Sequence, residues 1–329
     1  MIDDLISGIF SIRNDASFTE IALEIFRFQA NNNPVYKDFI HSLGRNPGRI
    51  KTLQEIPFLP VELYKTHRII PKGFEPVVVL ESSGTTFGAP GRHYIVDTGL
   101  YERSLDGAFN MFYGHPSEYC ILALLPSYLE RKNSSLVYMV DRLIKLSQHP
   151  QSGFYLDQLN DLAARLKILD GQQQQVLLIG VSYALMDLAA LDIFNLRHAI
   201  IMETGGMKGR RKEITREELH TCLQNRFGTP AIHSEYGMAE ILSQAYSKEN
   251  GIFSAPPWMK ILIRDIYDPF SYPPAGQTGA INIIDLANIY SCSFLETKDL
   301  GQTFPDGSFK VLGRLDNSEL RGCNLLVSE

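Results

Sequence analysis

Apolar residues follow one another along this chain in two rhythms, and the balance between them changes near residue 255. A β-branched run, Val77-Val78-Val79-Leu80, reads as a buried strand emptying into a polar, glycine-containing loop. Continuous apolar runs from Cys120 to Leu125 (closed by Pro126), from Val176 to Gly180 and from Ala199 to Met202 read as further buried strands. Helical spacing lies between and before them. Ser17 and Glu20 make a capping-box pattern ahead of Ile21, Ile25 and Phe28, and Thr215 with Glu218 opens another capped helix. Leu159, Leu162 and Leu166 share one face of a predicted helix over Asp157 to Leu169. Pro57, Pro60 and Pro71 punctuate a connecting region, and Gln172 to Gln175 reads as a polar turn. After Ser254 the helical period fades. Pro256, Pro257, Pro269, Pro273 and Pro274 fall among short strand-like runs such as Ile261-Leu262-Ile263 and Ala280 to Ile284.

Strands alternating with helices predict an α/β fold with a largely parallel sheet flanked by helices. The later change of pattern predicts a smaller β-rich lobe. The expected division is therefore a core over residues 1–254 and a β-rich lobe over 255–329.

Composition narrows the function classes. With 329 residues the chain can bury a sizeable core. A formal net charge of −6 and no long basic stripe argue against a nucleic-acid binder. The densest basic cluster, Lys208-Gly209-Arg210-Arg211-Lys212, reads as a solvated loop. The four cysteines, Cys120, Cys222, Cys292 and Cys323, show no metal-ligand spacing and read as reduced thiols. Met1-Ile2-Asp3-Asp4 lacks the pattern of a secretory leader, and no apolar run reaches the length of a membrane span. The expected location is the cytoplasm.

Candidate chemistry gathers at predicted strand ends. In Glu81-Ser82-Ser83-Gly84-Thr85-Thr86-Phe87-Gly88-Ala89-Pro90-Gly91-Arg92-His93, glycines can turn amides inward and hydroxyls can donate to phosphate oxygens. Arg92 or His93 can offset phosphate charge. The same composition suits an ordinary polar loop, and the Gly-Lys-Ser/Thr of a Walker loop is missing. Met202-Glu203-Thr204-Gly205-Gly206 follows a strand and suits either a tight turn or the close approach of a flat ligand. In His233-Ser234-Glu235-Tyr236-Gly237-Met238-Ala239-Glu240, Tyr236 can stack on a base and Glu240 can reach a divalent cation or simply favour a helix start. Asp299, within Thr297-Lys298-Asp299-Leu300-Gly301, reads as a turn residue able to bind a ribose diol or to make an Asx-turn. Gly313-Arg314-Leu315-Asp316 and Arg321-Gly322-Cys323 complete the set.

In this order the clusters resemble the adenylate-forming superfamily of acyl-CoA synthetases, luciferases and peptide-synthetase adenylation domains. The resemblance implies the large N-terminal domain of that superfamily, with ATP and Mg²⁺ as cofactors. It likens Ser82, Ser83, Gly84, Thr85 and Thr86 to the phosphate loop, with Phe87 as an extra residue and Arg92 near the usual lysine. Glu203, Thr204, Gly205 and Gly206 fall at the adenine-side strand end. Tyr236 and Gly237 open the Tyr-Gly-x-x-Glu motif whose acid, Glu240, approaches the metal. Asp299 falls at the ribose-binding aspartate, Arg314 at the arginine after it, and Asp316 at the hinge. Thirteen residues follow Asp316, so a small C-terminal lid domain is expected to be absent.

The run from Glu81 to His93, Leu124-Leu125-Pro126-Ser127-Tyr128-Leu129-Glu130-Arg131, Ser134-Ser135-Leu136-Val137-Tyr138, Glu203-Thr204-Gly205-Gly206 and the Gly322-Cys323 tail resemble the acyl-protein synthetases of bacterial bioluminescence. That resemblance implies activation of a carboxylic acid, fatty in the leading reading, as acyl-AMP and its transfer to Cys323. Arg321 would favour the thiolate, and an acyl reductase or acyl carrier would take the product. Two other readings stay open. One is an acyl- or aryl-CoA or carrier-protein ligase, and the other a degenerate nucleotide-binding scaffold subunit. Cys120, Cys222 and Cys292 read as packing residues.

Overall fold

The second and third helices begin where asparagine caps them. The computed structural model describes residues 2–82, 89–126, 133–156, 158–205 and 214–315. After α1 (Ile2–Ile9), helix α2 (Asp15–Asn32) starts on Asn14, whose side chain accepts the Ser17 amide at 2.9 Å. The capping box expected at Ser17 and Glu20 is therefore set three residues earlier, with Ser17 as its closing member, because asparagine caps as well as serine does. Asn33 ends α2 and caps α3 (Pro34–Ser42), and a short strand, β1 (Leu59–Pro60), follows.

The chain parts into two compact units, one of residues 77–256 and one uniting residues up to Pro76 with those from Pro257 onward. The sequence reading divided the chain once, near 254. The structure adds a second division at Pro76, which groups the first helices with the late strands.

Unit 77–256 opens with a hairpin of β2 (Val78–Glu81) and β3 (Arg92–Ile95), so the first predicted strand stands apart from the parallel sheet, with Val77 exposed. Helix α4 (Thr98–Tyr113) then leads to β4 (Cys120–Leu124), α5 (Ser135–Ser147), β5 (Gly153–Tyr155) and α6 (Leu159–Gly171). β6 (Val176–Val181), α7 (Ser182–Leu191), β7 (Ala199–Thr204), α8 (Arg216–Phe227), β8 (His233–Tyr236), β9 (Ala245–Ser247) and β10 (Ile252–Phe253) complete it. The sheet runs β5-β4-β6-β7-β8-β9, parallel through β8 with β9 antiparallel at the edge. β4 and β6 are buried along their whole length. Helices cover both faces of such a sheet, which is why those strands read as unbroken apolar runs.

In the other unit, β11 (Met259–Arg264), β12 (Gly279–Asp285), β13 (Phe294–Thr303) and β14 (Phe309–Arg314) pair antiparallel in that order. β1 joins β13 in parallel. Asp299, expected in a turn, lies within β13, whose register slips between Leu300 and Gly301. Phe26, Tyr36, Phe58 and Phe294 form the aromatic centre, with Tyr36 stacked on Phe294 at 6.4 Å. Gln29 is buried beside it, donating to the carbonyls of Asn288 and Ile289 at 3.1 and 2.9 Å and accepting the Ser293 amide at 3.0 Å. Among the described residues no helix is long and apolar enough to cross a membrane.

Those bonds tie α2 to the turn between β12 and β13. An apolar replacement would strand two buried backbone groups, the Ile289 carbonyl and the Ser293 amide, so Gln29→Leu should lower unfolding free energy by about 2–4 kcal/mol in urea denaturation. A loss within about 0.5 kcal/mol, the range of neutral surface changes, would show that Gln29 does not hold the two segments together.

Candidate functional site

Parallel strands deliver their ends to one edge of a sheet, and ligands bind there in open α/β folds. In unit 77–256 that edge carries Pro126 after β4, Ser182 after β6, Gly205 after β7 and Gly237 after β8. Strand order reverses between β4 and β6, where the Tyr183 hydroxyl donates to the Pro126 carbonyl at 3.1 Å. Gly205 leaves β7 at φ 70°, a left-handed conformation natural to glycine.

Two acidic side chains stand one register step apart on β7 and β8: Glu203 pairs with Ser234, and Thr204 with Glu235. Side chains alternate along a strand, so the two carboxyls lie on opposite faces. On the α8 face, Glu203 meets Arg216 Nε at 3.3 Å, His220 Nε2 at 3.6 Å and the Ser182 hydroxyl at 3.3 Å. Burial alone would raise the Glu203 pKa, but the His220 hydrogen bond, the Arg216 charge and Ser234 outweigh it and hold the group below its ordinary value. On the other face, Glu235 accepts the Thr204 hydroxyl at 2.6 Å and has no cation against it among its described partners. Burial, only partly offset by Thr204 and reinforced by the Glu203 charge, pushes Glu235 up to about 7. One carboxyl is thus held ionised and its neighbour holds a proton into the neutral range.

Around this pair, Arg216 lies over the Phe253 ring at 5.1 Å, and Tyr236 meets the same ring edge-on at 5.9 Å. The Tyr113 hydroxyl bonds His233 Nδ1 at 3.1 Å, and burial followed by the Lys248 and His220 charges depresses His233 to about 4. A Cβ on Gly237 would stand 2.5 Å from Glu235 Oε1, so glycine is what lets that carboxyl fold against the strand exit.

The sequence-predicted residues divide accordingly. Glu203, Thr204, Gly205, Tyr236 and Gly237 come together at the ends of β7 and β8. Glu240 is buried in the turn beyond Gly237, not at a helix start. Ser82 closes the neck of the hairpin, accepting the Gly91 amide on its hydroxyl at 2.8 Å while its own amide donates to Gly91 O at 2.9 Å. Arg92 opens β3 and pairs with Glu81 at 3.5 Å. In the other unit, Asp299 and Arg314 face each other across β13 and β14, their side chains 3.3 Å apart. Ser83, Gly84, Thr85, Thr86, Gly206, Arg321 and Cys323 lie outside the described residues. Cys120 and Cys292 are buried packing residues whose thiols burial pushes up to about 11 and about 12. Among the described residues no group of three or more His, Cys, Asp or Glu could hold a metal ion.

Sequence reasoning missed Ser182, Arg216, His220 and Phe253, which converge from separate elements and carry no shared motif. Glu235 was visible: an acid inside a strand is costly unless it is partnered or protonated.

No family model matches the chain, and no curated protein sequence matches it. Solved structures do. A 2-hydroxyisobutyryl-CoA ligase, in an open conformation with 2-HIB-AMP and CoA, superposes with a TM-score of 0.68 at 13% identity over 93% of this chain and 72% of that one. The same ligase in its postadenylation state with 2-HIB-AMP gives 0.66 at 13% identity, covering 93% of this chain and 70% of that one. ATP-bound MatB from Rhodopseudomonas palustris gives 0.54 at 17% identity, covering 72% of this chain and 47% of that one. The chain spans about half the length of MatB, the share being 47%. At such identities the likeness is one of fold. The fold shared with these ligases is a parallel-rich sheet flanked by helices, together with a second, largely antiparallel sheet.

The Glu235 assignment has a thermodynamic signature. The folded state binds this proton more tightly than the unfolded chain, so stability is fully present below the ordinary carboxylate value and is lost as pH rises toward about 7. Unfolding free energy from urea titrations should fall by roughly 2–3 kcal/mol across that window, and Glu235→Gln should flatten the slope. An unchanged slope in Glu235→Gln would place the titration elsewhere.

Proposed function

We propose that this chain uses ATP to activate a carboxylic acid, fatty in the leading reading, as an acyl adenylate, and then carries the acyl group on Cys323. One observation supports the first step above all. A fold shared with adenylate-forming ligases presents Glu203-Thr204-Gly205 and Tyr236-Gly237-Met238-Ala239-Glu240 on adjacent strand ends at its carboxyl edge.

The substrate carboxylate attacks the α-phosphorus of ATP, a C(O)–O–P bond forms, and pyrophosphate leaves. No proton is abstracted, so Glu240 has no task as a base. Mg²⁺ binds through one or two carboxylates together with phosphate oxygens. A single carboxylate beyond Gly237 fits that demand: Glu240 would hold the ion, whose charge offsets that of the phosphates. Tyr236 and the Glu203-Thr204-Gly205 exit take the adenine, and the loop from Ser82 with Arg92 the phosphates. In the second step the Cys323 thiolate attacks the acyl carbon, a thioester forms and AMP leaves, with Arg321 favouring the thiolate. An acyl reductase or acyl carrier then takes the acyl group. The likeness to a ligase solved with CoA favours one second reading, in which coenzyme A or a carrier protein is the direct acceptor.

Adenylation and thiol transfer separate cleanly in one experiment. Wild type should catalyse acid-dependent ATP–pyrophosphate exchange and, in intact mass spectra, gain an acyl adduct released by hydroxylamine. Cys323→Ser should keep the exchange and lose the adduct. Acyl-CoA formation without any adduct would establish the second reading, and absence of exchange with every acid would remove adenylation.

A further inference from the structure

The Glu235 face of the sheet holds two polar atoms that neither the fold nor the proposed nucleotide contacts use. Glu235 stands opposite Thr204 in the β7–β8 register and opposite Tyr246 in the β8–β9 register, so the three side chains share one face. Gln244 lies two residues before Tyr246, and its Cγ comes within 3.6 Å of the point a Gly237 Cβ would occupy. Glu235 Oε1 comes within 2.5 Å of the same point. Tyr246 and Gln244 are 2% and 4% exposed, yet the Tyr246 hydroxyl and Gln244 Oε1 have no hydrogen-bond partner among the described residues. The Gln244 amide nitrogen donates to the Leu242 carbonyl at 3.3 Å, which leaves its oxygen as the free end. Helix α4 closes the far side with Tyr113, whose ring meets that of Tyr246 edge-on at 5.3 Å.

A buried donor or acceptor without a partner is costly, so atoms kept in that state in the free protein point to something that completes them. Tyr246 offers a proton and Gln244 Oε1 accepts one. A neutral hydroxyl carries both the acceptor and the donor that these two atoms call for. A carboxylate has no proton to give Gln244 and would sit beside Glu235 and the Glu203 charge, while an alkyl chain leaves both atoms unmatched. The set lies beside Gly237, where β8 reaches the ligand-binding edge of the sheet.

Resting on the adenylation reading, we infer that Tyr246 and Gln244 form a subsite for a hydroxyl group on the acid, and that the substrate is a hydroxylated carboxylic acid in place of a plain alkyl one. Thr204 and Glu235 are positioning residues that hold the floor of this subsite.

Calorimetric titration of the full chain with two matched pairs tests it: 3-hydroxydecanoate against decanoate, and 4-hydroxybenzoate against benzoate. In one pair the hydroxylated member should bind roughly 10- to 100-fold more tightly, and that pair identifies the acyl skeleton. Tyr246→Phe and Gln244→Met should each shrink the preference to within about 3-fold. Tyr246→Phe removes a hydroxyl that bonds nothing among the described residues, so its melting temperature should not fall. Equal or absent binding within both pairs, or a preference that survives both substitutions, overturns the inference. A binding preference without acid-dependent exchange would keep the subsite and remove adenylation. Exchange with decanoate and no preference would do the reverse.

Discussion

Two carboxyl groups buried on neighbouring strands, one register step apart, are the constraint from which the candidate site takes its form. Burying one unpaired carboxylate costs several kcal/mol, and burying two of like charge side by side costs more. The strand pleat turns Glu203 and Glu235 to opposite faces. Each face then meets the cost differently. Arg216, His220 and Ser182 surround Glu203 and keep it ionised, whereas Glu235 is left with a hydroxyl donor and keeps its proton.

That division fixes the strand exits as well. Ser182 bonds both Glu203 and the Gly205 carbonyl, so the ionised carboxylate and the departure of the chain from β7 share one anchor. Glu235 folds against Gly237 and so shapes the departure from β8. The two exits are where the adenylate-forming resemblance places a flat base and a metal-binding acid. A ligand-binding edge of an open α/β sheet needs fixed backbone more than it needs many polar groups. Here the polar groups are spent on holding the backbone.

How much of this the sequence carried depends on how local each cause was. The strands from Cys120, Val176 and Ala199 were legible because a helix-covered sheet turns both faces of a strand apolar. The helix from Arg216 was legible because Thr215 and Glu218 cap it reciprocally. The union of α2 with β13 was not legible: Gln29 bonds groups more than 250 residues away, and nothing in its neighbourhood marks it. Asp299 was expected in a turn because threonine, lysine, aspartate and glycine in sequence suit one. Pairing with β12 and β14 overrides that local preference and extends the strand through it. Glu203 and Tyr236 were legible as motif members, while Arg216 and His220, which meet Glu203, and Phe253, which meets Tyr236, were invisible until the strands were set side by side.

The partition of charge across β7 and β8 is best tested by observing the two carboxyls themselves. Infrared titration in deuterated buffer distinguishes a buried protonated carboxyl from a carboxylate by its carbonyl stretch. Near pH 6 the wild-type protein should show one such buried carbonyl band that vanishes in Glu235→Gln, persists in Glu203→Gln, and titrates away around pH 7. A band that vanished in Glu203→Gln instead, or two ionised carboxyls already at pH 5, about two units below the value placed on Glu235, would contradict the account.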